Sequence, residues 1–209
     1  MGRENDAGHG HARGKPDSQS RRVAAVDAAH AECAARIREL HDQNTSLVQL
    51  IVASQLLCGA VEREDVLSAI EEVVVNMIGS EELAVFDLDS DGESLRVARL
   101  RGIDLHSPRL ARAAGSLHFA RRSGQIFVPR ARQVPHDDQD GGLTAAIPLR
   151  VEHSVTGVVA IFRLLEQKTG LDPTDHDLFE VLSRQAATAL HSAAFRSLRV
   201  TVRPPTRSM

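Results

Sequence analysis

Apolar residues recur every seven positions between Arg22 and Cys58. Val23, His30, Ile37, Asn44, Ile51 and Cys58 share one row, and Val26, Cys33, Leu40, Leu47 and Ser54 occupy the row three residues further on. These rows are the a and d positions of a heptad, so the spacing predicts one long helix with a narrow apolar seam. Ala fills much of its first half and favours the helical state. His30, Asn44 and Ser54 interrupt the seam. A polar Asn at an a position fixes register and strand number at a cost in stability. Two outcomes fit this pattern: a parallel coiled-coil dimer, or an amphipathic helix lying on its own domain.

Further along, the helical spacing of Val66, Ile70, Val73, Val74 and Met77 predicts a second helix that stops at Gly79. "LAVFDLD" and "SLRVARLRG" read as antiparallel strands joined by an Asp-Gly turn. "SPRLARAAGSLHFARRSGQ" reads as one or two short helices, "IFVP" as a short strand ended by Pro129, and "RARQVPHDDQDGG" as a charged loop. "GLTAAIPLRVEHSVTGVVAIFRL" is a strand, a polar turn and a second strand. Alternation of Leu143, Ala145, Ile147 and Leu149 gives its first strand one dry face, and Pro148 is expected near the strand end. The last helix is expected to take Thr174 as its N-cap. Its buried stripe is expected to hold Leu178, Val181, Leu182, Gln185, Ala186, Ala189 and Leu190.

Helices therefore flank one mostly antiparallel sheet, an α+β layered domain preceded by a long N-terminal helix. Residues 1–20 are too polar to offset the entropy of ordering and read as a disordered tail. Residues 21–60 form the long helix, 61–197 the domain, and 198–209 a basic, Pro-containing flexible tail.

Composition narrows the function. A 42% apolar share over 209 residues supports a real core, but aromatics make up only 3%, with no Trp or Tyr. That argues against base-stacking recognition of nucleic acid, and a net charge of −3 supplies no general attraction to nucleic acid or anionic membrane. Two cysteines are too few for a disulfide framework or a zinc site. With no apolar leader and no long apolar run, the expectation is a cytoplasmic protein without membrane insertion.

Candidate chemistry is sparse. His9 and His11, the group His136, Asp137, Asp138 and Asp140, and His176 between Asp175 and Asp177 read as a solvated tail, an acidic loop and a helix start, so no metal site is expected. Arg99, Arg101, Arg109, Arg112, Arg121, Arg122, Arg130 and Arg132 crowd one third of the chain. They offer bidentate contacts to an anionic ligand or partner, or form a solvated surface balanced by acids elsewhere.

The order of "LSAIEEVVVNMIGSEELAVFDLDSDGESLRV", "ARRSGQIFV", "AAIPLRVEHSVTGVVAIFRL" and "DHDLFEVLSRQAATAL" resembles a GAF domain over residues 61–195. GAF domains are small-molecule sensing and dimerisation modules of signalling proteins. The resemblance implies that the hairpin at 141–163 supplies two central strands of a curved sheet. One sheet face would pack on the terminal helices, and the other would enclose a ligand pocket reached by Phe86, Arg101, Phe119, Arg132 and His136. It names no cofactor. Members that reduce free methionine sulfoxide or attach bilins use pocket cysteines, whereas Cys33 and Cys58 both precede the domain. The Asn-Lys-x-Phe-Asp-Glu signature of cyclic-nucleotide members is missing, and haem ligation by His118 would rest on one residue.

The resulting expectation is a non-catalytic regulatory or sensory module of signal transduction. It would bind a small ligand and homodimerise through Val26, Cys33, Ile37, Leu40, Asn44, Leu47 and Ile51. With no kinase, cyclase or DNA-binding segment in the sequence, its output would pass to a partner signalling protein. The alternative is a ligand-free dimerisation scaffold. A redox enzyme of the methionine sulfoxide reductase type stands third, opposed by the cysteine positions.

Overall fold

A computed structural model describes residues 18–89, 91–129 and 141–201. Its sheet contains β1 (Ser80–Leu88), β2 (Leu95–Arg101), β3 (Ala145–Val151) and β4 (Ser154–Leu164), all antiparallel in the order β2-β1-β4-β3. Successive side chains leave a strand on opposite faces. Leu83, Val85, Ile147, Leu149, Val159 and Ile161 accordingly enter one buried cluster, and Ala84, Phe86, Ala146, Val158, Ala160 and Phe162 enter another. Both faces need a cover. The first meets α2 (Arg63–Glu72), which continues as a π-helical segment, Val73–Ile78. It also meets α4 (Pro173–Val181), the π-helical segment Leu182–Ala186 and α5 (Ala187–Thr201). The second is covered by a single helix, α3 (Pro108–Ser123), through Ala113, Leu117 and Ala120. Gly79 ends the α2 run in the left-handed conformation at φ 77°, the cap that its position in the sequence implies.

The hairpin differs from the expectation of two central strands. β4 is central, but β3 is the edge, and Phe127 adds only an isolated bridge beside Ala146 rather than a strand. That bridge explains Pro148, which lies inside β3 and not at its end. Ala146 turns its N–H and carbonyl outward to Phe127, at 2.8 and 2.9 Å. Two residues on, the proline nitrogen points the same way, where no ladder hydrogen bond is lost. The Pro148 carbonyl accepts a hydrogen bond from Ser183 Oγ at 2.6 Å, tying the edge strand to the last helical run. Leu143, expected in the same row as Ala145, precedes the strand and packs on the α3 side.

The last helical run also begins earlier than expected. Asp172, not Thr174, is the N-cap; Pro173 takes the first helical turn, and Asp172 and Asp175 form a reciprocal capping box. The buried residues are Asp175, Leu178, Phe179, Leu182, Ser183, Ala186, Ala187, Leu190 and Ala193. Val181, Gln185 and Ala189 are only half-buried, because the wider π turn at Leu182–Ala186 offsets the face from a regular 3.6-residue spacing.

Gly157 on β4 marks a close approach of two backbones. A Cβ there would lie 2.4 Å from the Phe86 carbonyl oxygen of β1. Gly157→Ala should therefore force the two central strands apart and cost about 2 kcal/mol, in the range of core overpacking. Urea unfolding should show a lower midpoint with an unchanged slope.

Helix α1 (Ser18–Gly59) precedes this domain. The chain divides into two compact units, residues 1–45 and 46–209. In the first, the described part of α1 leaves Val23, Val26, Cys33, Ile37 and Leu40 exposed. In the second, Leu50, Ala53, Leu56 and Leu57 join the core, while Leu47, Ile51 and Cys58 remain on the solvent side. At 3.6 residues per turn the centres of these last two sets lie roughly a third of a turn apart. The end of the helix thus lies on its own domain without using its heptad seam, and the two outcomes posed by the sequence are not exclusive.

Candidate functional site

The α3 face of the sheet is where the resemblance places a pocket. Ser107 caps α3, its hydroxyl accepting from the Arg109 N–H at 3.3 Å, and Pro108 follows in the first turn. Gly124 ends the helix at φ 63°. The helix thereby sets Leu117, Ala113 and Ala120 over Phe86, Phe162 and Val158. Phe119 stands at the rim, half exposed, with its ring edge-on to Phe127 at 5.6 Å.

The five residues expected to meet a ligand do not all share that face. Phe86 is buried in the α3 layer and Phe119 borders it. Arg101 turns to the other side of the sheet, where it hydrogen-bonds Glu71 of α2. Arg99 joins it, reaching Glu71 at 3.4 Å and Glu64 at 2.8 Å. Arg132 and His136 lie outside the described residues, as do the acids around His136 and the pair His9 and His11.

One residue of the arginine crowd does reach the α3 layer. Arg109 donates to Glu82 and, through Nε, to the Gly141 carbonyl at 2.9 Å, and its guanidinium sits 5.6 Å from the centre of the Phe162 ring. Gly141 approaches so closely that a Cβ would lie 2.4 Å from the Arg109 carbonyl oxygen. Arg109 thus anchors the point where the chain enters β3. Arg121 caps the Gly92 carbonyl of the β1–β2 turn at 2.8 Å. Much of the crowd is therefore engaged within the fold. The sequence hid this because Glu64, Glu71 and Glu82 are far from their arginines along the chain.

No metal-holding group of three His, Cys, Asp or Glu side chains occurs among the described residues. The Asp91 carboxyl is pulled down to about 2 by hydrogen bonds from the Ser94 backbone and hydroxyl and from the Glu93 backbone. It is fully exposed and locks a turn. No helix among the described residues is long and apolar enough to cross a membrane.

Comparison with known proteins agrees with this architecture. Among solved structures, the GAF domain of an Acinetobacter phosphoenolpyruvate-protein phosphotransferase is similar at a TM-score of 0.54 and 13% identity, covering 76% of this chain and 98% of that one. The corresponding domain from Coxiella burnetii gives 0.53 at 12% identity, covering 73% and 96%. Residues 122 to 287 of a methyl-accepting chemotaxis protein give 0.51 at 18%, covering 69% and 98%. At these identities the likeness establishes the fold alone. No curated protein matches the sequence. The GAF domain model matches residues 62–192, most of the chain and all four strands, and the protein therefore belongs to the GAF domain family.

Proposed function

We propose that this GAF protein is a non-catalytic regulatory module of signal transduction that works as a parallel homodimer joined along α1 and passes its output to a partner signalling protein. One observation carries the dimer. Leu40, Leu47 and Ile51 of the heptad seam are 52%, 60% and 55% exposed, although Leu50, Ala53 and Leu57 of the same helix join the core. Leucines repeated on a heptad and left in water gain by facing a second copy. In that arrangement the two Asn44 side chains meet across the seam and hydrogen-bond, which fixes the register. Sedimentation velocity of the full chain at tens of micromolar should give a dimer, and mild oxidation should link two chains through Cys33. A monomer, or a dimer in which Cys33 cannot be cross-linked, overturns the parallel seam.

A small ligand belongs to the same reading, seated on the α3 face near Phe119, with the segment bearing Arg132 and His136 as its further wall. Arg101 is not part of this proposal, since it is engaged on the opposite face. A second reading, a dimerisation scaffold without ligand, is favoured by Phe86. This side chain is only 6% exposed and packs with Leu117 and Phe162 in the layer a ligand would enter. Native mass spectrometry of freshly purified protein separates the two: a retained small molecule supports sensing, and a bare dimer supports the scaffold.

A further inference from the structure

The terminal-helix side of the domain, opposite the α3 layer, holds a cavity of about 310 Å³ between the end of α1, with Leu57 and Cys58, and the last helical run, with Arg184 and Arg196. We propose that this cleft is a second ligand site, selective for a small organic anion with an apolar body, of the medium-chain carboxylate class. Its size is that of a small-molecule pocket. Leu57, Ala60 and Ala189 supply apolar surface, while Gln185 and Ser192 offer polar side chains beside it.

The sign of the charge follows from the two arginines. No acid contributes to the lining. Arg196 spends a donor on the Val61 carbonyl at 2.5 Å, which leaves its charge without a carboxylate from that bond. Arg184 meets Glu180 only at 3.6 Å with both side chains largely exposed, and Glu180 lies closer to Arg150, at 3.0 Å. An exposed pair of that kind contributes little and does not satisfy the guanidinium. A carboxylate entering the cleft would find planar donors suited to bidentate contact, and its hydrocarbon part would cover Leu57 and Ala189. A cation would meet two like charges. Arg184 and Gln185, consecutive in the π turn, both line the cleft.

Cys58 provides a local reporter, because its thiol is free and lines the cleft, whereas Cys33 lies outside it. The probe is octanoate added to the full chain, with iodoacetamide labelling of both cysteines followed by mass spectrometry. Octanoate should slow Cys58 alkylation at least fivefold, with saturation, and leave Cys33 unchanged. Octylamine should not protect. Arg184→Ala and Arg196→Ala are surface changes that should retain the fold by circular dichroism, and each should weaken octanoate protection about tenfold. Phe86→Leu, in the α3 layer, should leave protection intact. Three results would overturn the site. One is the absence of saturable protection. Another is equal protection by octylamine. The third is Cys58 protection that rises with protein concentration alone, which would assign the cleft to a second copy. Sedimentation of the same samples keeps this outcome separate from success or failure of the α1 seam.

Discussion

Asp175→Ala should lower the stability of the domain by about 3 kcal/mol, the loss expected when one member of a buried ion pair is removed. Asp175 is 1% exposed although it is a carboxylate near a helix start. Two interactions compensate the burial of the carboxylate: Lys168 Nζ donates to Asp175 Oδ1 at 2.6 Å and the Asp172 N–H donates to Oδ2 at 2.7 Å. The Asp175 N–H in turn is capped by Asp172 at 3.0 Å. Lys168 Nζ also donates to the Ile78 carbonyl at 2.6 Å, at the end of the α2 run. A single carboxylate thus joins the start of α4, the connection after β4 and the end of α2. Removing it leaves a half-buried ammonium beside an apolar core and one reciprocal cap broken. For a domain of this length the melting temperature should fall by roughly 6–12 °C. Asp175→Asn separates the two contributions. An amide oxygen still accepts from the Asp172 N–H but carries no charge. If Asn recovers most of the loss, the cap dominates; if it behaves like Ala, the pair with Lys168 dominates. An Asp175→Ala midpoint equal to the parent would mean that this contact does not hold the layers together.

The sequence offered half of this. Asp172, Pro173 and Asp175 are a capping box with proline in the first turn, and Thr174 is a worse reading of the same four residues because it ignores Pro173. The partner, Lys168, has no local signature, since a charge in a polar connection reads as solvated. The same distinction runs through the fold. The Asp-Gly turn after β1, the polar turn before β4 and the glycine stop at Gly79 are local signals, and they placed those elements correctly. Pro148 is also a local signal, but its meaning depends on which strand forms the edge, and only the pairing of Ala146 with Phe127 decides that. The arginines could be counted in the sequence but not paired. Arg99 and Arg101 face Glu64 and Glu71 because β2 passes beside α2, a long-range consequence of topology. In α1 the heptad rows were legible and drew attention from Leu50, Ala53 and Leu57 on a second face, which form the docking contact. A helix with two apolar faces presents two overlapping periods, and the more regular one dominates the pattern.

Leu40→Glu combined with Leu47→Glu should convert the proposed dimer to monomer across the micromolar range. Both leucines occupy d positions and are more than half exposed in the single chain, so neither substitution opens a cavity in its core. In a symmetric dimer each change occurs twice, and facing d positions bring like charges together. Even at roughly 1.5 kcal/mol for each leucine removed from water, the four together weaken association by on the order of four decades. Repulsion between the introduced carboxylates adds to that. The isolated chain should keep its melting temperature within a few degrees once dissociation itself is allowed for. Ala35→Glu, exposed on the same helix but away from the seam, is the matched control and should leave the dimer intact. Sedimentation velocity over a hundredfold concentration range reads all three proteins. A double variant that remains dimeric would place the interface elsewhere, with the domain's own terminal helices as the next surface to test. A parent protein that is already monomeric would remove the dimer from the proposed function and leave the exposed seam to be explained by a different partner helix.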